Sequence, residues 1–176
     1  MIVREQQAGE YEAIRHVYAE AFRHPRFRPP QDAGTVPPEV PLFEALWKSG
    51  DVIPELSFTA LAAERVVGHV TASRATVGAD PVVAVGPIGV VPDQQGAGVG
   101  SALIRALLTA ADAADVPLVA LLGAPQYYGR FGFRPAEELG VIAPEPGWGE
   151  AFQARPLTAY TASLAGRFEY APAFSS

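Results

Sequence analysis

A glycine-rich turn between an apolar strand and a helix is the feature that most constrains how this chain can fold. The strand ends in Ile88-Gly89-Val90-Val91-Pro92, and the turn that follows reads Gln95-Gly96-Ala97-Gly98-Val99-Gly100. Glycines let a main chain approach a ligand closely and adopt positive φ. The first turn of a helix presents free N–H groups and the positive end of the helix dipole to an anion. The pattern therefore predicts a phosphate-binding turn that relies on main-chain groups.

Three familiar kinds of glycine turn fit this segment less well. A P-loop needs a lysine and a Ser or Thr after the glycines, but Gly100 is followed by Ser101-Ala102. A dinucleotide-binding turn follows the first strand of its fold, whereas this one follows the fourth strand of a mostly antiparallel series. An ordinary tight turn does not account for the interruption of the preceding strand by Gly86, Pro87 and Gly89. Such residues inside a strand indicate a bulge or a close approach to the backbone.

Hydrophobic spacing predicts alternating helices and strands along the rest of the chain. Helices are expected over residues 10–22, 39–49, 98–114 and 126–131, and strands over 2–4, 56–63, 66–77, 82–91 and 118–122, with a tight turn at Glu64-Arg65 and weakly patterned strands near Val141 and over 152–164. The strand–helix–strand unit over 82–122 predicts two parallel neighbouring strands. The proline-rich segment 24–41 predicts a long exposed loop, for which a lid over the substrate is one role.

Composition narrows the functional class. The 176 residues, 49% hydrophobic and 18% charged, predict one folded domain over residues 1–176. A net charge of −6 argues against nucleic acid or an anionic membrane as partner. The absence of cysteine excludes disulfides and thiolate chemistry, and His16, His24 and His69 lack metal-ligand spacing, so we expect no metal. Neither a signal-peptide pattern nor a membrane-length apolar run is found, so a cytoplasmic protein is expected.

Two motifs resemble one family. The spacing Gln95-x-x-Gly98-x-Gly100 is similar to the acetyl-CoA motif of the GNAT N-acetyltransferase superfamily. The run Gly123-Ala124-Pro125-Gln126-Tyr127-Tyr128-Gly129-Arg130-Phe131-Gly132-Phe133 resembles the tyrosine-bearing motif of its YhbS-like branch. The order of elements fits over nearly the whole chain. The resemblance implies an α/β GNAT fold: a mixed, mostly antiparallel sheet of about seven strands, with parallel strands four and five splayed apart, flanked by about four helices.

The resemblance also implies a function and a site. The acyl donor would be acetyl-CoA, no metal would be needed, and the acceptor would be a primary amine on a small molecule or peptide. Pantetheine would lie between the splayed strands on the main chain of Ile88, Gly89 and Val90, where glycine removes obstructing side chains, and an N–H near Val90 would serve the oxyanion. The pyrophosphate would bind the turn, whose implied cofactor-binding residues are Gln95, Gly96, Ala97, Gly98, Val99, Gly100 and Ser101. Tyr128 matches the family's general acid.

Several points stay open at the level of sequence. Candidate general bases are Glu20, Glu44, Asp51, Glu55 and His69. Each can equally be a surface or structural residue, and for His69 the alternative is a hydrogen-bonded structural imidazole. Tyr127 is expected to pack against its aromatic neighbours, while Arg130 is either a phosphate ligand or a solvated side chain. Two other functions are a non-catalytic CoA-binding module and transfer of a longer acyl group. The acceptor is not indicated, and a homodimer stays open.

Overall fold

The computed structural model describes residues 1–23 and 34–175. Within these residues the chain forms nine strands and four α-helices. The strands are β1 (Ile2–Glu5), β2 (Phe58–Ala62), β3 (Arg65–Val77), β4 (Asp80–Val90), β5 (Leu118–Leu122), β6 (Arg134–Pro135), β7 (Val141–Ile142), β8 (Phe152–Pro156) and β9 (Gly166–Tyr170). The helices are α1 (Tyr11–Arg23), α2 (Glu39–Ser49), α3 (Val99–Ala113) and α4 (Pro125–Tyr128). Most of the loop expected over 24–41 lies outside the described residues, and its last residues belong to α2.

The strands form one mixed sheet in the order β1-β2-β3-β4-β5-β8-β6. Strands β1 to β4 are mutually antiparallel, and β5 lies parallel to β4 after the crossover through α3. The long strand β3 pairs with β2 along its first half and with β9 at its end, and β9 also pairs with β7. The mostly antiparallel sheet with parallel fourth and fifth strands agrees with the order of elements in the sequence.

Helices cover both faces of the sheet. The apolar stripe of α3 is fully or nearly fully buried at Val99, Leu103, Ile104, Leu107 and Ala111, and it packs on one face. Helices α1 and α2 pack together on the other face, through side chains that include Ile14, Tyr18, Val40 and Phe43. Because both faces are covered, the residues of β5 from Leu118 to Leu121 are buried on alternating sides, as its continuous apolar run predicts.

The turn after β2 and the C-terminal strands differ from the sequence prediction. The β2–β3 turn is centred on Ala63 and Glu64, with φ of 48° and 63°, instead of Glu64-Arg65. The predicted strand over 152–164 ends at Pro156, and a separate strand, β9, follows at Gly166–Tyr170. Strand β9 pairs with only three residues of β3 and two of β7. Such long-range pairing leaves no local periodicity to recognise.

Candidate active site

Strands β4 and β5 separate soon after they pair. Their parallel pairing is confined to Val83 with Val119 and Ala84 with Ala120. Beyond these pairs β4 continues to Val90 without a β5 partner. A cleft of about 770 Å³ opens at this point, lined on one side by residues 85–88 and on the other by Leu121 and Leu122. A ligand can therefore reach the edge of β4.

A bulge in β4 lies at the mouth of this cleft. Val70 of β3 is opposite Ile88, but Ala72 is opposite Val85, so β4 carries one extra residue between these pairs. Gly86 has a φ of 142°, a region that side-chain-bearing residues rarely adopt. The interruption expected at Gly86 and Pro87 is thus a bulge, and bulges turn the backbone locally out of the ladder.

The main-chain groups of β4 alternate between β3 and the cleft. The Val91 N–H donates to Val67 O at 2.9 Å and so points toward β3. In an antiparallel ladder the orientation alternates, which directs Gly89 toward β3 and directs Ile88 and Val90 toward the cleft. Gln95 Nε2 donates to Val90 O at 2.9 Å, so this side chain braces the turn against the strand.

Gly89 serves a different purpose from the one expected. A Cβ on Gly89 would lie 3.0 Å from both Ala21 Cβ and Tyr18 Cδ1 of α1. That distance is shorter than ordinary van der Waals contact. Glycine at this position therefore lets α1 pack directly on β4, on a face of the sheet that is away from the free edge.

The glycine turn leads into the N-terminus of α3. Gly96 and Gly98 have φ of 79° and 85°, and Gly98 directly precedes the helix. The Ala102 N–H donates to Gly98 O at 3.0 Å, which leaves the N–H groups of residues 99–101 without intrahelical acceptors. No acidic residue stands in the first turn of α3. This helix end is therefore suited to an anion.

Tyr127 and Arg130 lie beside the same turn. A Cβ on Gly100 would be 3.0 Å from the Tyr127 hydroxyl. The Arg130 guanidinium lies 4.3 Å from the centre of the Tyr127 ring, and Arg130 Nε donates to Tyr127 O at 3.0 Å. Tyr127 also makes an edge contact with Phe131, in keeping with its expected packing role. The stacked pair holds a positive charge next to the N-terminus of α3.

Tyr128 lies in the wall of the cleft. Its ring covers Gly123 so closely that a Cβ on Gly123 would overlap it. The side chain shares the cleft with Pro87 of the bulge and Leu121 of β5. Burial, with a smaller contribution from Tyr127, raises the pKa of Tyr128 to about 12. The phenol therefore keeps its proton at neutral pH and can donate a hydrogen bond.

A buried polar cluster supports the bulge from the α1 side. The Tyr18 hydroxyl donates to Pro87 O at 2.8 Å and lies 2.7 Å from both His69 Nδ1 and Thr71 Oγ1. His69 Nε2 lies 2.9 Å from Gln6 Oε1. Burial lowers the pKa of His69 to about 3, so the imidazole is neutral. We call Gln6, Tyr18, His69 and Thr71 the bulge network, and His69 is a hydrogen-bonded structural imidazole within it.

None of the five candidate bases lines the cleft. His69 is fully buried, Glu20 pairs with Arg23 at 3.2 Å, and Glu44 pairs with Arg15 at 2.5 Å. Asp51 accepts a hydrogen bond from Ser49 Oγ at 2.6 Å, and Glu55 is exposed in a short 3₁₀ turn. Among the described residues the cleft is instead lined by two carboxylates that sequence reasoning did not identify, Glu39 and Glu145.

A family model described as "Acetyltransferase (GNAT) domain" matches residues 2–136. This chain belongs to the GNAT acetyltransferase family. The chain is 34% identical, over 113 residues, to "Uncharacterized N-acetyltransferase YjhQ" of Escherichia coli K12, an alignment that covers 61% of this chain and 62% of that protein. The chain thus spans less than two thirds of the length of this curated relative.

Two solved structures resemble this GNAT protein over nearly all of its length. YhbS of Escherichia coli, crystallised with CoA, has a TM-score of 0.84 at 24% identity, covering 99% of this chain and 92% of the other. A GNAT acetyltransferase of Brucella melitensis, crystallised with acetyl-CoA, has a TM-score of 0.75 at 26% identity, covering 98% and 97%. The GNAT fold and the resemblance to the YhbS-like branch are confirmed.

The cleft of this GNAT protein also contains residues that its sequence did not single out. Besides Tyr128, four aromatic side chains line it: Phe22, Trp148, Tyr170 and Phe174. Three of them come from the weakly patterned C-terminal third of the chain. In the described ranges 1–23 and 34–175, no helix is long and apolar enough to cross a bilayer, and no group of three or more His, Asp or Glu residues is placed to hold a metal.

Proposed function

We propose that this protein is an N-acetyltransferase that moves the acetyl group of acetyl-CoA onto a primary amine by direct attack. The observation that carries the proposal is the unpaired edge of β4, from Val85 to Val90, next to the exposed N-terminus of α3. The Brucella melitensis relative, 26% identical over nearly the whole chain, was crystallised with acetyl-CoA. That relative supports the same acyl donor here.

The free edge of β4 fits the extended arm of a coenzyme. Ile88 and Val90 direct main-chain groups into the cleft, where pantetheine amides would pair as an added strand. Each such bond would contribute about 0.5–1.5 kcal/mol net. The pyrophosphate would lie at the turn formed by Gly96, Ala97, Gly98, Val99, Gly100 and Ser101, with Gln95 bracing it and Arg130 nearby. Gly89 would contribute by admitting α1, since its own main-chain groups face β3.

Tyr128 would act on the leaving sulfur. A bound thioester supplies an activated acyl carbon, so the protein must only position the amine and stabilise charge. Over the whole reaction one proton passes from the acceptor nitrogen to the thiol. A phenol with a pKa of about 12 is a weaker acid than a thiol, whose ordinary pKa is about 8.5. We therefore assign Tyr128 the role of hydrogen-bond donor to the departing sulfur, through which that proton can be relayed. A main-chain N–H near Val90, beyond the bulge, would serve the carbonyl oxygen, a contribution of about 2.7–4 kcal/mol in comparable sites.

Two measurements test this function. Isothermal titration should detect acetyl-CoA binding, and a thiol assay with a panel of amines should detect CoA release. Tyr128→Phe should lower kcat by about 100-fold with an unchanged Kd for acetyl-CoA, while the matched variant Tyr160→Phe, distant in sequence and not lining the cleft, should change neither. Failure to bind acetyl-CoA at near-millimolar concentration would overturn the proposal. Binding without CoA release from any amine would favour the non-catalytic module, and faster turnover of butyryl-CoA would favour a longer acyl donor.

A further inference from the structure

Aromatic rings form a large part of the cleft lining. We call Phe22, Trp148, Tyr170 and Phe174 the aromatic chamber. The rings of Tyr170 and Phe174 stack with centroids 4.1 Å apart, and Trp148 meets Tyr170 edge-on at 6.2 Å. Rings that hold one another in this way lose little freedom when they bind a ligand, which favours a ligand with apolar surface.

The chamber is connected to the cofactor edge. Pro87 of the bulge, Leu121 of β5 and Tyr128 line the same continuous cleft of about 770 Å³. An amine nitrogen placed near the bulge would therefore leave its carbon skeleton against the rings. A cleft of this volume holds a small molecule, since small-ligand pockets are about 300–1,000 Å³.

The described side chains that line the cleft include carboxylates but no cation. Among its described lining residues, only Glu39 and Glu145 bear a formal charge, and no lysine, arginine or histidine is present. Burial raises the pKa of the Tyr170 phenol to about 12, so that ring stays neutral. Aromatic faces attract a cation at close range. An anionic group would instead lose its hydration and find no cationic partner among the described lining residues, a large cost in an apolar site.

The same environment prepares the nucleophile. An alkylamine reaches the protein as an ammonium ion, but only the neutral amine can attack. Desolvation by apolar groups disfavours the charged form of an amine, whereas a carboxylate close to it favours that form. Proton release is therefore favoured once the nitrogen leaves the two carboxylates for the apolar part of the cleft, which Pro87 and Leu121 line.

We propose that the acceptor is a primary amine on an apolar, preferably aromatic, body that carries no carboxylate or phosphate. The inference rests on the proposed acetyltransferase function and names its substrate class. Free amino acids and phosphorylated amines are excluded by it, because their anionic groups would face the aromatic chamber and the Glu145 carboxylate.

A matched series of amines tests this inference. At saturating acetyl-CoA, kcat/KM should be highest for 2-phenylethylamine, within about tenfold of it for L-phenylalaninamide, and at least 100-fold lower for L-phenylalanine. The amide controls for size, since it differs from the amino acid chiefly in charge. Butylamine should fall at least tenfold below 2-phenylethylamine. Equal use of phenylalanine and 2-phenylethylamine would overturn the inference, as would a preference for butylamine.

Two variants test which residues of the cleft recognise the amine. Glu145→Gln should raise KM for 2-phenylethylamine about threefold to fivefold, whereas Glu150→Gln, in the same segment but outside the cleft, should leave it unchanged. Trp148→Leu should raise KM at least tenfold for 2-phenylethylamine but less than threefold for butylamine. In each variant the Kd for acetyl-CoA reports folding and should stay within twofold. Equal changes for both amines would overturn the aromatic assignment.

Failure of the inference is distinguishable from failure of the function. If acetyl-CoA binds and none of these amines reacts, or only the amino acid reacts, the inference is overturned while the GNAT assignment stands. If acetyl-CoA does not bind, the proposed function itself fails.

Discussion

The two halves of β4 are held in different ways. From Asp80 to Ala84, which we call the closed half, the strand is paired to β3 along its length and to β5 at its end. From Val85 to Val90, the open half, only β3 is paired, and the bulge network supports the strand from the α1 side. One strand can therefore belong to a packed core and still offer a free edge, because β3 and the Tyr18 hydroxyl of α1 hold the open half where β5 does not pair with it.

Acid should expose this difference with the largest effect. Folding lowers the pKa of His69 to about 3, whereas in the unfolded chain it has the ordinary value of about 6.5. Below pH 6.5 the unfolded state binds the proton first, so the contribution of His69 is present above that pH and is lost as the pH falls toward 3. Urea unfolding should show stability declining by up to about 1.4 kcal/mol per pH unit, a few kcal/mol in all.

Two histidine variants test whether His69 causes this dependence of the unfolding free energy on pH. His69→Gln should flatten the decline between pH 6.5 and 5, above the range in which carboxylates titrate. His16→Gln, on the exposed side of α1, should leave it as it is. A slope that survives His69→Gln would place the acid sensitivity outside the bulge network.

Truncation in the neighbouring strand should destabilise the closed half without changing cofactor binding. Leu118 of β5 is fully buried next to the paired residues, so Leu118→Ala should cost about 2–5 kcal/mol in urea unfolding. Leu122→Ala, in the same strand with 46% of its surface exposed, should cost well under half as much. The Kd of folded Leu118→Ala protein for acetyl-CoA should stay within twofold of the wild type. A large rise in Kd would show that the halves are coupled.

Loss of one hydroxyl should loosen the open half. Tyr18→Phe removes the donor to Pro87 O and leaves a buried carbonyl without it, which should cost about 1–3 kcal/mol. Because that bond fixes the bulge, the Kd for acetyl-CoA should also rise severalfold in a titration. Tyr11→Phe on the same helix should change neither quantity. If Tyr18→Phe lowers the free energy of unfolding but leaves the Kd unchanged, the bulge network stabilises the fold without contributing to cofactor binding.

The smallest expected change comes from one methyl group at the end of β5. In Gly123→Ala the new Cβ would overlap the Tyr128 ring and push it from its position in the cleft. We expect kcat to fall about tenfold, about 1.4 kcal/mol, with little change in unfolding free energy. Gly129→Ala is the matched control, because no atom lies within 4 Å of its added Cβ. Equal kcat in the two variants would separate Tyr128 from the reaction.

Local patterns in the sequence predicted the frame of the site. The glycine turn, the helix after it, the parallel strand pair and the interruption at Gly86 and Pro87 each leave a signature within a few residues. The position of Tyr128 was predicted by its motif, and the structure places it in the cleft. Its role and the residues proposed to bind the cofactor stay predictions.

Contacts between distant segments could not be predicted in this way. From the sequence, Gly89 is expected to make room for a ligand. The structure shows instead that the absence of a side chain at Gly89 makes room for α1. The bulge network joins Gln6, Tyr18 and His69, which lie far apart in the chain. The aromatic chamber likewise depends on where β9 pairs, and neither Trp148 nor Tyr170 lies in a periodic segment.

The family model ends its match at residue 136, whereas Trp148, Tyr170 and Phe174 lie beyond it. Strand β9 fastens this last part of the chain to the far end of β3, at Ala75 to Val77, away from the free edge of β4. Three of the four rings of the aromatic chamber thus lie in a different stretch of the chain from the edge of β4 and the glycine turn that are proposed to bind the acyl donor. Substitutions in residues 137–176 can therefore reshape the proposed acceptor wall and leave the edge of β4 and the turn before α3 intact.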